Sequence, residues 1–431
     1  MVDGPLLGAE LELDVGAPAA GGACVAREPG GRVVFVRHAL PGERVRALVT
    51  EDRGGSFCRA DAVEVLRASA DRVPQPCPHA RAGGCGGCDW QHATGPAQRE
   101  LKATVIREQF ARIGSLRLDD QLFGGVEELP GGLLGWRTRV AYAVDGAGRL
   151  GLRRHHSHEV ERLERCPLGA PGVGDAPALG DTWPGRSGLE LARGDEPAVA
   201  VLGHTPGGGR PGQVSRARGA RRPARGRRPP DRVQLIDGPS ALRHAALGRS
   251  FQVAAAGFWQ VHPAAAETLA TALLAAVEPR PGETALDLYA GAGLLTAALA
   301  EAVGRDGSVL GIEADPQAVA DAAANLRDLP WATVRRGRVG TGSGGELWPA
   351  HVDLVVLDPP RTGAGPDVMR RIAATRPRAI GYVSCDAGTL ARDVAALREA
   401  GWTLAALRAF DAFPMTQHVE CLATLRPAPG G

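Results

Sequence analysis

A cysteine near the C-terminus lies where many α/β enzymes place a reactive group. Cys385 follows an apolar run at residues 379–383, which predicts a short buried strand, and a helix start at residues 389–393 comes soon after it. Open α/β sheets bind ligands at the carboxyl ends of such strands. A thiol on this strand-to-helix turn could act as a nucleophile. By itself, a cysteine is more often a buried core residue.

A glutamate further along the chain could supply a base for the same chemistry. Glu420 belongs to the segment Phe-Pro-Met-Thr-Gln-His-Val-Glu-Cys at residues 413–421, just before a predicted terminal strand at residues 422–425. As a lone residue, it would be expected on the exposed surface. Together with Cys385 it becomes a candidate general base.

The elements that must position these two residues form an alternating pattern. From about residue 254, strand and helix patterns alternate, which predicts a mostly parallel, doubly wound sheet. A strand at 284–289 enters a turn with Gly291 and Gly293, and Glu313 ends the next strand, where an acid binds a ribose diol. NAD enzymes share this arrangement with S-adenosylmethionine enzymes. The absence of a third glycine favours the methyl donor.

The turn after the following strand indicates which kind of atom accepts the methyl group. Residues 352–357 lead into Asp358-Pro359-Pro360-Arg361, a rigid acidic turn typical of methyltransferases. Enzymes that methylate an exocyclic amine place an aromatic residue after this turn to stack on the base, whereas an arginine follows here. The acceptor is therefore expected to be a ring carbon. Such a carbon needs covalent activation, which Cys385 can provide.

Four more cysteines predict an inorganic centre. Cys77, Cys85 and Cys88 are spaced Cys-x7-Cys-x2-Cys with glycines between them, and Cys166, followed by a proline, offers a fourth ligand. Glycines let the backbone wrap closely around such a centre and donate N–H groups to it. The spacing leaves iron–sulfur and zinc both open, because Cys₄ and Cys₃His sites also bind zinc. The histidines available to zinc are His79 and His92.

The N-terminal 70 residues read as a separate small β-barrel. Short alternating runs separated by turn residues are typical of such barrels, which often bind single-stranded nucleic acid. A barrel that serves only dimerisation or structure fits the pattern as well. Cys24 and Cys58 are expected in its core. The four strands are predicted at residues 10–15, 31–36, 43–49 and 57–66.

Residues 71–253 are predicted to form a central α+β domain, followed by the catalytic domain at 254–431. The central part contains a helix at 97–113, which could instead pack on the catalytic domain, and a hairpin at 136–156. The basic segment 205–232, rich in Gly, Pro and Arg, is expected to be a flexible insertion that could meet nucleic acid or have no function. The arginines of the hairpin suit RNA phosphates, or an ordinary solvated face, and they are Arg137, Arg139, Arg153 and Arg154.

Composition restricts the setting of the protein. The 431 residues suffice for two or three domains, and the net charge of +2 gives no whole-chain signal for nucleic acid. No apolar run approaches the roughly 20 residues of a membrane span, and the N-terminus lacks a signal pattern. We therefore expect a cytoplasmic protein with no membrane partner. Eight cysteines in a reducing compartment argue for metal or catalysis rather than disulfides.

Taken in order, these motifs resemble the bacterial RNA 5-methyluridine (uracil-C5) methyltransferases of transfer RNA and 23S ribosomal RNA. The resemblance implies an N-terminal TRAM barrel of OB-like form, a class I S-adenosylmethionine-dependent methyltransferase domain and a monomer. It implies that the four cysteines of the predicted centre hold a 4Fe–4S cluster. The residues that it assigns to S-adenosylmethionine binding are Gln260, Tyr289, Gly291, Gly293, Glu313 and Asp358.

The resemblance also implies a mechanism in which Cys385 adds to C6 of uracil, the methyl group passes to C5 and Glu420 removes the C5 proton. The sequence departs from the family at the seven-residue first cysteine gap, at Leu294, at Asp386 and at the insertion. Three alternatives remain open. They are a methyltransferase for another substrate, a non-catalytic RNA-binding protein and, less well supported, an NAD dehydrogenase.

Overall fold

The computed structural model describes residues 6–207, 231–340 and 348–429. Within these ranges the strands form three large sheets and one two-stranded hairpin. None of the helices described there combines the length and apolar character that a membrane crossing requires. Most of the predicted basic insertion, residues 208–230, lies outside the described ranges.

The N-terminal sheet is built from five strands in the order β1-β4-β5-β3-β2. Its edges approach each other, because Val25 accepts a hydrogen bond from Gly16 at 2.7 Å and donates one to Ala17 at 2.8 Å. Cys24 and Cys58 lie in its core, as expected. One strand, β2, was not predicted. The strands are β1 (Glu10–Asp14), β2 (Cys24–Arg27), β3 (Val33–Arg37), β4 (Arg44–Glu51) and β5 (Phe57–Arg67).

A long helix and an antiparallel sheet follow. Helix α1 (Gly95–Arg112) begins at the N-cap Thr94, whose side chain accepts a hydrogen bond from the N–H of Ala97. The sheet has the order β12-β11-β10-β7-β8-β9 and includes the predicted hairpin. Its strands are β7 (Arg139–Val144), β8 (Leu150–Arg153), β9 (Val160–Arg162), β10 (Gly188–Arg193), β11 (Val199–Thr205) and β12 (Arg232–Asp237). The short strand β6 (Val126–Glu128) follows α1 in the chain but belongs to a different sheet.

The C-terminal half contains an eight-stranded sheet in the order β17-β16-β15-β18-β19-β21-β20-β6. The first five strands are parallel and β21 is antiparallel, so the predicted doubly wound fold is confirmed. Its strands are β15 (Thr284–Leu288), β16 (Ser308–Glu313), β17 (Ala332–Arg336), β18 (Leu354–Leu357), β19 (Ala379–Ser384), β20 (Trp402–Asp411) and β21 (Glu420–Pro427). Its helices are α2 (Ala265–Val277), α3 (Leu294–Val303), α4 (Pro316–Asn325), α5 (Pro366–Ala374) and α6 (Ala387–Glu399).

Earlier parts of the chain complete this half. Helix α1 places Ile106 and Phe110 in one core with Leu390 and Val394 of α6, and β6 pairs with β20. A hairpin of β13 (Ala241–Ala246) and β14 (Arg249–Ala254) also packs here, because the Asn325 side chain bonds both the N–H and the C=O of Gln252. The boundary predicted between residues 253 and 254 therefore falls inside a strand.

Candidate active site

The predicted catalytic segments meet at one edge of the eight-stranded sheet. Strands β15, β16, β18 and β19 are neighbours and parallel, so the turns after all four lie at their shared carboxyl edge. The chain crosses to opposite sides of β15 to form β16 and β18, and ligands of open sheets bind at such a switch point. The crevice is therefore the place where cofactor and substrate would meet.

The glycine turn after β15 has the shape of a ligand cradle. Gly291 and Gly293 have φ of +54° and +90°, which favours glycine, and a Cβ built on Gly291 would meet no atom within 4 Å. The Gly291 N–H donates to the Glu313 carboxylate at 3.0 Å, while Ala314 and Asp315 donate to its other oxygen. The turn and the acid predicted from sequence are therefore joined in one site with open space above it.

Two neighbours of this turn also differ from ordinary core residues. Tyr289 is not a glycine, yet it has φ of +66° and is held by a 2.9 Å bond from its N–H to the carbonyl of Ile312. Backbone strain of this kind collects at functional sites. Asp287, which the sequence reading missed, is fully buried, and burial raises its pKa to about 7. Its Oδ2 accepts a hydrogen bond from the Thr296 hydroxyl at 2.6 Å, while Oδ1 has no hydrogen-bond partner among the described residues.

Another predicted cofactor residue, Gln260, lies on the connection between β14 and α2 and is half-buried. Its neighbour Trp259 is anchored between His244 and Phe251, at ring-centroid distances of 4.8 and 5.3 Å. Phe258, which precedes Trp259 in the chain, is 69% exposed. The anchored tryptophan therefore fixes the backbone from which Gln260 projects.

Cys385 and Glu420 are brought together by strand pairing. Ser384, the last residue of β19, pairs with Cys421 of β21, and Cys385 and Glu420 lie one step beyond this pair. Cys385 is half-buried and precedes Asp386, whose side chain caps α6 by accepting the Thr389 N–H at 2.8 Å. The departure at Asp386 thus keeps a good N-cap residue.

Glu420 is buried rather than exposed, which corrects the expectation for it as a lone residue. The side chain is first in β21, the whole residue is 4% exposed, and its Oε2 has no partner among the described residues. Burial raises its pKa well above the usual range, and the nearby Asp358 carboxylate raises that pKa further. A buried carboxylate with an unused oxygen has the properties of a proton acceptor.

The pKa values of Cys385 and Asp358 are raised by the same buried environment. Burial, followed by the charge of Glu420, raises the pKa of Cys385 to about 11, while the Arg361 guanidinium opposes this rise. Burial likewise raises the pKa of Asp358 to about 7. Arg361 also contacts Nε2 of His418 through Nη2 at 3.3 Å. Sequence reasoning missed both of these roles of Arg361, although the residue follows the Asp-Pro-Pro turn directly.

Residues of helix α6 make hydrogen bonds that connect the Asp358–Arg361 turn to the turn that carries Cys385. The buried Asp393 carboxylate accepts hydrogen bonds from the Tyr382 hydroxyl at 2.7 Å and from the N–H groups of Ala364 and Gly365 at 2.9 and 3.1 Å. Thr389 donates to the Arg361 carbonyl at 3.2 Å. The segment that begins α6 therefore sets the distance between two turns of the active site.

Comparisons with known proteins agree with this geometry. A family model described as tRNA (Uracil-5-)-methyltransferase matches residues 344–427, a TRAM domain model matches 6–63, and a protein-L-isoaspartate O-methyltransferase model matches 259–352. The chain is 45% identical to an RNA methyltransferase of Streptomyces avermitilis, over 99% of this chain and all of that one. It is 33% identical to the 23S rRNA (uracil(1939)-C(5))-methyltransferase RlmD of Alkalilimnicola ehrlichii, over 92% of each chain.

The chain belongs to the RNA uracil-C5 methyltransferase family. It is an S-adenosylmethionine-dependent RNA methyltransferase, which replaces the non-catalytic and dehydrogenase alternatives. The fold agrees with the Pyrococcus abyssi tRNA (uracil-54, C5)-methyltransferase in complex with S-adenosyl-L-homocysteine, with a TM-score of 0.68 and 22% identity over 96% of this chain and 99% of that one. The N-terminal sheet is a TRAM domain.

In this methyltransferase, all four cysteines of the predicted centre line one cavity. The Gln91 side chain donates to the sulfur of Cys88 at 3.0 Å, and the N–H of Gly87 lies 3.4 Å from the sulfur of Cys85. Burial raises the pKa of Cys85 to about 11, so a metal would have to displace its proton. The cysteines that line the cavity are Cys77, Cys85, Cys88 and Cys166.

A single-ion site is not preformed at this cavity. Across the described ranges, no group of three or more His, Cys, Asp or Glu side chains could hold a metal ion. A tetrahedral zinc ion would need thiolate sulfurs about 2.3 Å from one centre.

The four predicted RNA-binding arginines have different surroundings. The Arg139 guanidinium is paired with Glu190 and donates to the carbonyls of Ala255 and Gly257, both at 2.8 Å. This side chain therefore connects the antiparallel sheet to the segment that follows β14. Arg137 is half-buried beside the cysteine cavity. Arg153 and Arg154 are exposed on β8 and the turn that follows it. Arg154 is paired with two glutamates, Glu159 and Glu161, at 2.9 and 3.0 Å.

Proposed function

We propose that this enzyme transfers a methyl group from S-adenosylmethionine to C5 of a uridine in RNA through a covalent bond between Cys385 and C6. The observation that carries the proposal is the pairing of β19 with β21, which sets Cys385 beside the buried Glu420 at the cofactor edge of the sheet. A thiol and a carboxylate in this relation suit a reaction that needs both a nucleophile and a base.

The proposed reaction begins with addition of the thiol to the uracil ring. The Cys385 thiol loses its proton and its sulfur bonds to C6, so that electrons shift onto C5. The C5–methyl bond forms as the bond from methyl to the sulfonium sulfur breaks, which leaves S-adenosylhomocysteine. Glu420 then takes the C5 proton, and the C6–sulfur bond breaks as the ring double bond returns. One proton is released in each full cycle.

Asp358 and Glu420 could hold these protons in turn. The Asp358 carboxylate raises the pKa of Glu420, and both carboxylates lie close enough to Cys385 to raise the pKa of its thiol. Arg361 opposes these shifts and would balance the charge of a thiolate or an enolate. We expect Arg361 to carry part of the stabilisation of the adduct, since preorganised charges act most strongly in buried sites.

For the cofactor, we propose that Gly291, Gly293 and Glu313 hold S-adenosylmethionine, together with Tyr289, Gln260 and Asp358. The open space above Gly291 and the fixed Glu313 carboxylate support this assignment. The target base must leave its stack to enter the crevice.

We propose that RNA contacts the exposed Arg153 and Arg154. Phe57 of the TRAM domain is a further candidate, because it is 44% exposed and lies under the Arg59 guanidinium, 5.4 Å from its ring centroid. Aromatic and arginine side chains together stack well on unpaired bases. For the RNA itself, we favour 23S rRNA over tRNA, since the relative that is 33% identical acts on 23S rRNA. We expect the enzyme to act as a monomer.

For the cysteine cavity, we propose a 4Fe–4S cluster held by Cys77, Cys85, Cys88 and Cys166. The shared cavity and the N–H donors at two of the sulfurs support a thiolate-bound centre, and the resemblance to the family favours the cluster over zinc. Iron and sulfide analysis of protein purified without oxygen tests it. About four of each per chain is expected, and one zinc without sulfide would refute it.

The proposed reaction can be tested with RNA in which 5-fluorouridine replaces uridine. Fluorine at C5 cannot leave as a proton, so the enzyme should remain attached to the RNA after denaturation when labelled S-adenosylmethionine is present. Cys385→Ala should abolish the complex, whereas Cys58→Ala, which removes a buried thiol from the TRAM core, should keep it. Sequencing the trapped RNA would identify the uridine. A protein that binds S-adenosylmethionine but never forms the complex would point to another substrate.

A further inference from the structure

The segment that leads to the catalytic base has an irregular and strained backbone. Between β20 and β21, residues 412–419 are neither helix nor strand, and Met415 within them has φ of +69°. A methionine persists in this conformation only when its surroundings determine it strongly. Because Glu420 follows directly, this segment, together with the pairing of β21, determines where the carboxylate lies.

The residues beside Cys88 supply part of that constraint. The N–H groups of Asp89 and Trp90 both donate to the Met415 carbonyl, at 3.0 and 3.1 Å. The Asp89 carboxylate accepts the Gln417 N–H at 2.9 Å, and its side chain is only 11% exposed. Asp89 therefore bonds the base segment at two points, five and three residues before Glu420.

Other parts of the chain join the same connection. Gln98 of α1 accepts the Met415 N–H at 2.7 Å, and the Gln417 side chain accepts the Gly21 N–H of the TRAM domain at 2.6 Å. The indole of Trp90 donates to the Gly22 carbonyl at 3.2 Å. The base segment is thus held by three regions that are distant in sequence, and Asp89 lies where they meet.

We propose that Asp89 is a positioning residue for Glu420, which fixes the segment 412–419 through hydrogen bonds to Met415 and Gln417. The inference rests on the proposed function, because Glu420 is the base of that reaction.

This positioning role predicts a selective defect in Asp89→Ala. The nucleophile Cys385 lies in the turn between β19 and α6 and makes none of these hydrogen bonds, so adduct formation and S-adenosylmethionine affinity should be retained. Release of the C5 proton should slow by about 100-fold, the order expected when a catalytic group is misplaced by about 1 Å. Asp89→Asn keeps an oxygen that can accept the Gln417 N–H, so it should restore most of the rate.

The experiment follows single turnovers on RNA carrying tritium at C5 of uridine, with adduct and tritium release measured separately. Deuterium uptake by the peptide covering residues 412–419 gives a second readout that does not depend on activity. It should rise in Asp89→Ala and remain low in Asp89→Asn. Asp181→Ala, a change at an exposed acid in the central region, is the matched control and should leave both readouts unchanged.

Three results would overturn the inference. In the first, Asp89→Ala releases the C5 proton at the wild-type rate. In the second, Asp89→Ala loses adduct formation, cofactor affinity and proton release to the same extent, as general unfolding would cause. In the third, Asp89→Asn is as impaired as Asp89→Ala. The last would show that the ion pair of Asp89 with Arg37, at 3.9 Å, is what matters. If the wild-type enzyme formed no adduct and released no tritium, the proposed function would fail, while the deuterium comparison would still test the connection.

Discussion

Cys385 should be a very weak acid in the free enzyme, although it is the proposed nucleophile. Burial and the Glu420 carboxylate raise the pKa of its thiol to about 11. At pH 8 roughly one thiol in 1,000 would then be ionised, against about one in four for an ordinary cysteine of pKa near 8.5. Because the thiolate is the reactive form, alkylation of Cys385 at this pH should be roughly 200-fold slower than for a free cysteine.

Two substitutions test the cause of this shift in opposite directions. Glu420→Gln removes the negative charge but leaves the burial, which is the larger cause, so the pKa of Cys385 should fall part of the way from 11 toward 8.5. Arg361→Met removes the guanidinium that lowers the pKa and should raise it further. Opposite shifts from two neighbours would show that charge as well as burial controls the thiol.

The assay is alkylation with iodoacetamide over a range of pH, with the Cys385 peptide quantified by mass spectrometry. Cys421 is fully buried one residue beyond Glu420 and serves as the internal reference, since it should react little at any pH that keeps the protein folded. A wild-type midpoint at or below about pH 8.5 would refute the reasoning. An unchanged midpoint in Glu420→Gln would refute the part assigned to charge.

Three further changes probe other parts of the site. Glu420→Gln should also let the methylated adduct accumulate, with turnover reduced by roughly 10²- to 10⁴-fold, as measured by denaturing electrophoresis with labelled cofactor. Glu313→Gln should weaken S-adenosylmethionine binding by roughly 10- to 100-fold in calorimetry, because it loses charge-assisted hydrogen bonds; unchanged affinity would remove it from the cofactor site. Lys102→Met should cost about 3–5 kcal/mol in urea unfolding, because Lys102 and Asp411 are buried together at 2.5 Å, and a double change with Asp411→Asn should recover part of the loss.

Much of the catalytic half could be predicted because its signals are local. The strand at 284–288, the glycine turn and the strand before Cys385 each carry their pattern within a few residues. The predicted helix at 97–113 is observed at Gly95–Arg112, and all four predicted barrel strands match within two residues at both ends.

Some elements could not be recognised in this way. Strand β6 has only three residues, and its pairing with β20 lies about 280 positions away in the chain. The basic hairpin looked like one surface, yet Arg139 turns inward because Glu190 and two carbonyls surround its guanidinium. Strand periodicity assigns faces, but it does not show which face will meet another part of the chain.

The sequence by itself determined the chemistry available to this protein, through residue types and short spacings that include the cysteine set, the glycine turn and the acidic turn at Asp358. The tertiary structure alone decided which of these groups act together. Glu420 is buried beside Cys385 because β21 runs antiparallel to β19, and Asp89 reaches Gln417 across 328 positions of sequence. Contacts over such separations depend on packing of the whole chain, which local pattern and propensity do not encode.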